Sequence, residues 1–298
     1  MKILIAGAQG QLGRELIEQN RLTGYAIVAP SHAHMDITDC DKVKYFMHFH
    51  RPTLVINAAA YTHVDNAEID RSLAFSVNKT GCANLASVCA ENGLPLIQIS
   101  TDYVFDGTKN TPYKETDPIS PLGVYGRSKA DGEAQIRMLL KEHIILRTSW
   151  LYGVYGQNFV KTMLKLAGTQ KKIRVVADQY GSPTNAADLA QAIMSIADLL
   201  NRHASDDWGT YHYCGRGITT WHAFAETIMK LARRHGSIKA AQVEAVNTAN
   251  YPTQAKRPPF SALNCSRIVK KFKIDLKPWQ KSLEITVQKL LSGKTRNF

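Results

Sequence analysis

The sequence predicts an α/β fold built on a doubly wound parallel sheet, followed by a smaller C-terminal α/β domain. Short apolar runs alternate with longer helical patterns along the first 150 residues. These runs are continuously apolar, which is typical of strands in a parallel sheet covered by helices on both faces. A glycine-rich turn, Gly7–Gly13, separates the first strand from the first helix. Together these features predict a sheet of the Rossmann type.

The elements of the first half have recognisable starts and stops. Thr38 and Asp39 offer a cap for the second helix, Arg51-Pro52 precedes the third strand, and Gly93 ends the third helix. The predicted strands are residues 2–6, 26–29, 53–57, 95–100 and 144–147. The predicted helices are residues 12–19, about 39–50, 71–92 and 124–142.

The second half has a different texture, with short strands among longer helices. The predicted strands are residues 173–176, 211–213 and 242–246. The predicted helices lie near residues 159–168, 186–201, 220–235 and 279–291, and a stretch rich in proline and polar residues covers 247–261. We expect a nucleotide-binding domain over residues 1–150 and a substrate domain over residues 151–298, with some later segments returning to the first.

Composition excludes several classes of protein. Of the 298 residues, 44% are hydrophobic and 21% are charged, which is close to the average for globular domains. No apolar run reaches the length of a membrane helix, so we expect no membrane contact. The five cysteines are scattered and form no CxxC pair. This pattern favours free thiols and a cytoplasmic location.

The net charge of +12 is concentrated near the C-terminus. Residues 256–298 contain 11 Lys and Arg against 2 acids, whereas residues 1–255 contain 26 against 23. Either a solvated basic face or an anionic partner, such as a phosphorylated small molecule, would account for the excess. The chain has no helix-turn-helix or RNA-binding signature, so we do not expect nucleic acid as a partner.

The residues Gly7, Gly10 and Gly13 have the spacing of a dinucleotide-binding turn. Glycine permits the tight turn and the close approach of a pyrophosphate, and the following helix offers unpaired N–H groups. The acid that holds a ribose 2′-hydroxyl normally ends the second strand. Here that strand ends in the residues 29–32, APSH, without a carboxylate. We therefore expect NADPH as the cofactor, with NADH as the alternative.

Two further segments are candidates for cofactor contacts. Asp36 is placed either to face the adenine amino group or to cap the start of the next helix. The small residues after Asn57, in the segment NAAAY, leave room for a ligand across the end of the third strand. Simple packing of a helix on the sheet would favour the same small residues, and both interpretations stay open.

Tyr125 and Lys129 form the candidate catalytic pair. They are four residues apart in a predicted helix and therefore share one face. A cation beside the phenol favours phenolate, so we expect Lys129 to lower the pKa of Tyr125 toward the working pH. The phenol would protonate an oxygen that gains charge as hydride arrives. Thr101, at the end of the fourth strand, would donate a hydrogen bond to the same oxygen.

With these motifs the chain resembles the extended short-chain dehydrogenase/reductase family, and within it the dTDP-4-dehydrorhamnose reductases. The segments that carry the resemblance are 57–62 (NAAAYT), 64–65 (VD), 100–107 (STDYVFDG), 125–129 (YGRSK), 147–153 (RTSWLYG), 158–164 (NFVKTML), 176–184 (VADQYGSPT), 211–212 (YH), 220–221 (TW) and 257–258 (RP). The resemblance implies that NAD(P)H reduces the 4-keto group of dTDP-4-dehydro-L-rhamnose. The product, dTDP-L-rhamnose, would serve the synthesis of a surface polysaccharide.

The resemblance also implies roles for the matching residues. Tyr125 would be the proton donor, with Lys129 as its partner and as a contact of the nicotinamide ribose. Thr101 and Asp102 would contact the sugar or tune the tyrosine. The implied cofactor contacts are Gly7, Gly10, Gln11, Leu12 and Gly13 at the pyrophosphate, Asp36 and Ile37 at the adenine, and Ala58, Ala59, Ala60, Tyr61 and Thr62 along the cofactor. The implied substrate contacts are Trp150 near the sugar and Asn158, Lys161 and Arg257 at the diphosphate.

The chain departs from this family at two places. The family commonly has Asn where Gly123 precedes the catalytic helix, and we expect the glycine to alter that loop. Some members bind Mg²⁺ at a dimer interface through three glutamates. Glu15 matches one of these, but Ala187 and Lys289 occupy the other two positions. Because hard cations need clustered carboxylates, we expect no metal site, and a monomer or weak homodimer.

Two alternative functions stay open. One is a reductase of another nucleotide-linked 4-keto sugar, because only pocket side chains separate these sugars. The other is a non-catalytic, NADP-binding regulatory subunit such as that of methionine adenosyltransferase, which has the same fold. Loss of Tyr125, Lys129 or Trp150 would favour the second alternative, and the sequence retains all three.

Overall fold

A six-stranded parallel sheet forms the centre of the molecule. The computed structural model describes residues 1–202, 207–235 and 242–292. Numbered along the chain, the strands are β1 (Lys2–Ala6), β2 (Ala26–Val28), β3 (Leu54–Asn57), β4 (Leu96–Thr101), β5 (His143–Thr148), β6 (Leu151–Tyr152), β7 (Lys172–Val176), β8 (Tyr180–Gly181), β9 (Thr184–Asn185), β10 (Gly209–His212), β11 (Thr219–Thr220) and β12 (Gln242–Val246). The main sheet has the order β10-β5-β4-β3-β1-β2, with every neighbouring pair parallel. The predicted Rossmann-type sheet is confirmed.

Helices cover both faces of this sheet. Numbered along the chain, the α-helices of the described residues are α1 (Gln11–Asn20), α2 (Cys40–His50), α3 (Arg71–Phe75), α4 (Gly81–Glu91), α5 (Val124–Leu139), α6 (Phe159–Thr169), α7 (Ala186–Arg202), α8 (Trp221–His235), α9 (Ser266–Phe272) and α10 (Trp279–Leu291). Successive strand residues alternate between the two faces, and both faces are apolar. Ile3 and Ile5 join the core under α1 and α7, whereas Leu4 joins the core under α2 and α4.

The helix predicted over residues 71–92 is wrong in one respect. The structure divides it into α3, a π-helical turn at Ser76–Thr80, and α4. The turn lies against α5, where a Cβ on Gly132 would be 2.0 Å from the carbonyl oxygen of Asn78. π-Helical turns of this kind are frequent at functional sites. Helix α9 was not predicted.

The second half of the chain contributes to two cores. Strand β10 pairs with β5 in the main sheet, and α7 packs on α1. Helices α6, α8 and α10 enclose a separate core with β7, around Phe224 and Trp279. The division at residue 150 stays a prediction. Among the described helices, none is both long enough and apolar enough to cross a membrane.

Candidate active site

The glycine turn lies at the carboxyl end of β1. In the sheet β1 has β2 on one side and β3 on the other, so the order of the strands changes direction at β1. Open α/β sheets bind their ligands in this crevice. Gly7 has a φ of +75°, and a Cβ there would lie 2.5 Å from the amide nitrogen of Ala59. A Cβ on Gly13 would lie 2.3 Å from the carbonyl oxygen of Gly7. Only glycine therefore allows the turn to pack so closely against the segment that follows β3.

The start of α1 fits a pyrophosphate. Gly10 is its N-cap in an extended conformation, and glycine has no side chain with which to cap the helix. The first N–H groups of a helix have no partners within it, so an anion at this end is stabilised. Leu12 is buried in the core, which leaves its backbone as the part that can meet a ligand. Gln11 offers its backbone too, while its side-chain oxygen accepts from Asn158 Nδ2 at 2.7 Å.

Asp36 and Ile37 follow β2, and both have partners within the protein. Asp36 Oδ1 accepts the N–H and the hydroxyl of Thr38, at 2.9 and 2.8 Å. Burial opposes ionisation, but these bonds and the nearby His32 outweigh it and hold the pKa of Asp36 below its ordinary value. The side chain stays 27% exposed, so an adenine contact remains a prediction. Ile37 is buried in the core, and Asp39, not Asp36, caps α2.

A buried asparagine joins the segment after β3 to the catalytic helix. Asn78 accepts from the N–H of Tyr61 and donates to its carbonyl, both at 3.0 Å. Its amide also donates to Ser128 Oγ in α5 at 3.0 Å. Ala58, Ala59 and Ala60 are partly exposed along this segment, and Thr62 is exposed. The sequence did not predict Asn78, because the π-helical turn that carries it was expected to be part of a regular helix.

Helix α5 places Tyr125 and Lys129 beside the end of β4. Lys129 Nζ donates to the carbonyl of Ile99 at 2.7 Å, and its side chain is buried. Thr101, the last residue of β4, caps a short turn by accepting the N–H of Tyr103 at 3.2 Å. The rings of Tyr103 and Tyr125 meet edge to face, with centroids 5.8 Å apart. The predicted trio of Thr101, Tyr125 and Lys129 therefore shares one end of the sheet.

The prediction that Lys129 lowers the pKa of Tyr125 does not hold. Burial raises the pKa of Tyr125 to about 12, the hydroxyl of Thr101 opposes this shift, and Asp102 adds to it. Burial also lowers the pKa of Lys129, against the nearby Cys82 and Glu133. The phenol is therefore protonated at neutral pH, which is the state that a proton donor needs.

Asp102 presents a buried carboxyl at the same place. Its side chain is 2% exposed, and Oδ1 lies 3.1 Å from Thr101 Oγ1 as a hydrogen-bond acceptor. Within the described residues, Oδ2 has no partner with hydrogen-bond geometry. Burial raises the pKa of Asp102 to about 7, although the hydroxyls of Ser261 and Thr101 lower it. Such an orphaned oxygen is a suitable acceptor for a ligand hydroxyl.

An ion pair anchors α5 one turn beyond Lys129. Glu133 accepts from Arg147 Nε at 2.9 Å and from Nη2 at 2.7 Å, and both side chains are buried. Ser100 Oγ, next to Thr101, donates to the same carboxylate at 2.6 Å. The sequence analysis missed this pair. Its signal was the spacing, because Glu133 continues the face that carries Tyr125 and Lys129.

A cavity of about 710 Å³ opens beside Tyr103, whose ring contacts that of Tyr125. Its lining consists of Asp65, Tyr103, Phe159, Met163, Arg174, Val175, Val176, Gln179, Trp221, Tyr251, Pro252, Thr253, Gln254 and Arg257. Of the three predicted diphosphate ligands, only Arg257 lines it. Arg257 already forms a fork with Asp65, with Nη1–Oδ1 and Nη2–Oδ2 distances of 3.1 and 2.7 Å.

Asn158 and Lys161 lie elsewhere, next to the glycine turn. Asn158 is the N-cap of α6, accepting the N–H of Lys161 at 3.2 Å, and its amide binds Gln11. Lys161 Nζ donates to the carbonyl of Gly156 at 2.9 Å. Both polar groups serve the local structure, and their contacts with the diphosphate stay predictions.

Trp150 is held in a strained conformation. Its φ is +47°, which is costly for a bulky residue. Its indole stacks on that of Trp221 with centroids 3.6 Å apart and planes 8° from parallel. A Cβ on Gly181 would lie 2.5 Å from Cε2 of the Trp150 indole. Since Trp221 lines the cavity, Trp150 borders it from behind this stack, and its contact with a sugar stays a prediction.

The three positions that match the Mg²⁺ ligands of some family members lie together, but their residues do not fit a metal. Glu15, Ala187 and Lys289 line one pocket of about 200 Å³. Burial raises the pKa of Glu15 to about 7, and Lys289 opposes this shift. The neighbouring Asp188 is bound by Lys277 Nζ at 2.6 Å. One carboxylate, a methyl group and an ammonium do not make the oxygen cage of Mg²⁺, and the described residues contain no cluster suited to a metal.

Comparison with known proteins gives one consistent family. The family model described as "RmlD substrate binding domain" matches residues 1–292. The dTDP-4-dehydrorhamnose reductase of Aggregatibacter actinomycetemcomitans is 43% identical over 285 residues, covering 95% of this chain and 97% of the relative. The structure is similar to that of a dTDP-4-dehydrorhamnose reductase from Clostridium acetobutylicum, with a TM-score of 0.91, 37% identity and 97% and 99% coverage. A Bacillus anthracis enzyme of the same name, solved in complex with NADP, gives a TM-score of 0.88, 38% identity and 96% and 98% coverage.

Proposed function

We propose that this chain, which belongs to the dTDP-4-dehydrorhamnose reductase family, uses NADPH to reduce the 4-keto group of dTDP-4-dehydro-L-rhamnose. The observation that carries the proposal is that Tyr125 and Lys129 lie on one helix at the carboxyl end of β4, next to Thr101, in the sheet whose crevice Gly7 and Gly13 border. The family relationship selects the reaction, and this geometry provides its proton donor.

In the proposed reaction, bound NADPH would supply a hydride to the carbonyl carbon, and the glycine turn and Lys129 would hold the cofactor. The electron pair of the carbonyl bond moves to the oxygen, and the phenol of Tyr125 gives its proton to that oxygen, yielding the alcohol. Thr101 Oγ1, which donates to Asp102 Oδ1 at 3.1 Å, would turn its proton to the same oxygen while charge develops. Lys129 uses one N–H on Ile99, so two of its three donors stay free for the cofactor ribose.

The cavity suits the rest of a nucleotide sugar. Its volume of about 710 Å³ falls within the usual range for small-molecule sites. Arg257 provides a cation for the diphosphate, with Asp65 holding the guanidinium in place. Asp102 Oδ2 would accept a sugar hydroxyl near the reacting carbon. We also expect a monomer or weak homodimer, and the cytoplasmic location stays a prediction.

Replacing Tyr125 by Phe tests the proposal. Purified protein would be given NADPH and dTDP-4-dehydro-L-rhamnose, and the absorbance of the reduced nicotinamide would be followed. We expect Tyr125→Phe to lower kcat by about 10²–10⁴-fold with NADPH binding nearly unchanged, because only the general acid is removed. Tyr45→Phe, at an exposed tyrosine on α2, is the matched control. A variant that keeps more than half of the wild-type kcat would contradict the assignment.

The same assay separates the two alternatives. A panel of nucleotide-linked 4-keto sugars would reveal a reductase with a different preferred substrate through a higher kcat/KM. A regulatory subunit would bind NADPH but reduce none of them.

A further inference from the structure

The catalytic helix is capped by a residue from outside the helix. Helix α5 begins at Val124, and its N-cap, Gly123, has no side chain to accept the free N–H groups. The N–H of Val124 donates instead to Oε1 of Glu68 at 2.8 Å. Gly123 has the extended backbone of an ordinary N-cap, with φ −126° and ψ 174°. Only the capping side chain comes from elsewhere in the sequence.

Glu68 and Gly123 fit each other sterically. A Cβ on Gly123 would lie 2.7 Å from Oε1 of Glu68. The carbonyl oxygen of Lys256, from another part of the chain, would be 3.9 Å away. The space that a side chain at position 123 would occupy is therefore filled by the carboxylate. An altered loop at this position stays a prediction, since the backbone of Gly123 is that of an ordinary N-cap.

The first turn of α5 has little freedom. A Cβ on Gly126 would lie 2.2 Å from the carbonyl oxygen of Tyr103, so the turn is pressed against the segment after β4. On the other side, Asp65 precedes the short turn Asn66–Glu68 and binds the N–H of Ala255 at 3.0 Å. The Asn66–Glu68 turn thus sits between the catalytic helix and the loop that carries Arg257.

We propose that Glu68 is a positioning residue for Tyr125. Tyr125 directly follows Val124, so fraying of the first turn would move the phenol relative to Thr101. We take the effect to be one of position, because the carboxylate of Glu68 binds the N–H of Val124 and not the phenol. An uncharged acceptor at position 68 should therefore serve equally well. The readout in turnover rests on the proposed function.

Four variants test this role: Glu68→Ala, Glu68→Gln, Gly123→Asn, and the double variant Glu68→Ala with Gly123→Asn. We expect Glu68→Ala to lower kcat by about five- to tenfold, the equivalent of one lost helix cap. The KM for the sugar nucleotide should stay nearly constant. Glu68→Gln, the matched control, should keep kcat within about twofold because its amide oxygen still accepts the hydrogen bond.

The Gly123→Asn variant makes the test specific. Its side chain would push the flexible end of Glu68 aside and cap α5 from within. When Gly123→Asn is already present, adding Glu68→Ala should therefore change kcat by less than about twofold. An equal loss of kcat in both backgrounds, an unchanged kcat in Glu68→Ala, or equal losses in the Gln and Ala variants would each overturn the proposal.

A second measurement does not depend on the sugar. Amide hydrogen exchange over residues 122–130 should speed up in Glu68→Ala and return toward the wild-type rate in the double variant. If the wild type reduces no sugar, the proposed function fails and exchange alone decides the role of Glu68. If Glu68→Ala does not fold, the double variant decides it: folding regained with Gly123→Asn supports the cap, and folding lost in both variants overturns it. Exchange that is unchanged in Glu68→Ala would contradict the cap.

Discussion

Removing the Glu133 carboxylate should destabilise the whole molecule, because Arg147 would remain charged and unpaired in the core. Glu133 is 1% exposed and Arg147 is 3% exposed. Two Arg147 bonds of 2.9 and 2.7 Å are joined by one from Ser100 at 2.6 Å and one from Arg137 Nη1 at 3.1 Å. Breaking such a buried pair from one side typically costs about 3–5 kcal/mol. We expect Glu133→Ala to lower the free energy of unfolding by this amount.

Urea unfolding of both single variants and the double variant provides the assay. Arg147→Met should cost less than Glu133→Ala, because Glu133 keeps its bonds from Arg137 and Ser100, whereas Glu133→Ala takes the carboxylate away from the buried Arg147. The double variant should cost less than the sum of the two, because neither charge remains. Glu91→Ala is the matched control, since Glu91 is exposed and lies 3.5 Å from Lys44, and it should cost less than about 1 kcal/mol. Additive losses in the double variant would refute the reasoning.

The same pair fixes the sign of a pH effect. Burial alone would raise the pKa of Glu133, but Arg147 and Ser100 outweigh it and hold the pKa below its ordinary value. A carboxyl with a depressed folded pKa stabilises the fold above its unfolded pKa of about 4.3, and this contribution disappears as the pH falls through the folded value. The stability difference between wild type and Glu133→Gln should therefore shrink below about pH 4. A difference that grows on acidification would refute the assignment.

Three further outcomes follow from the site. NADPH should be used at least as well as NADH, because β2 ends without an acid, and a hundredfold preference for NADH in kcat/KM would contradict this. EDTA should leave activity unchanged, because Lys289 stands where a metal ligand would be needed, and loss of activity restored by Mg²⁺ would show otherwise. Arg257→Ala should raise the KM for the sugar nucleotide roughly tenfold or more, because charge-assisted hydrogen bonds worth about 1.5–3 kcal/mol each are lost. The affinity for NADPH should stay the same. An unchanged KM would show that Arg257 does not bind the diphosphate.

The fold was predictable because its determinants are local. Continuous apolar runs located the strands of the main sheet within one or two residues, and Asp39 marked the start of α2. The π-helical turn escaped prediction because Asn78, within it, packs against Gly132 of α5. That contact joins two segments that are far apart in the sequence. Helix α9 escaped because it is short, and only Ile268 and Phe272 of its residues are buried.

The candidate site was predictable only where its parts share one element. Tyr125 and Lys129 lie in one helix, so their spacing predicts that they share a face. Arg257 is different, because its partner Asp65 is 192 residues away. No local pattern reveals that its fork is already engaged. Asn158 has a local role that its diagnostic segment did not reveal, because it caps helix α6, and its contact with the diphosphate stays a prediction.

Four of the eleven Lys and Arg of the basic C-terminal segment take part in the same long-range pairing. Arg257 binds Asp65, Lys271 binds Asp207, and Lys277 binds Asp188. Lys289 acts on the buried Glu15, as the opposing shift in its pKa shows. Each of these acids lies in the preceding part of the chain, so the excess of cations holds the C-terminal segment onto the rest of the protein. Of these four cations only Arg257 lines the cavity. Because each pair joins one cation to one acid, these contacts leave the net charge of +12 unchanged. Among these four cations, the case for an anionic ligand depends on Arg257 alone.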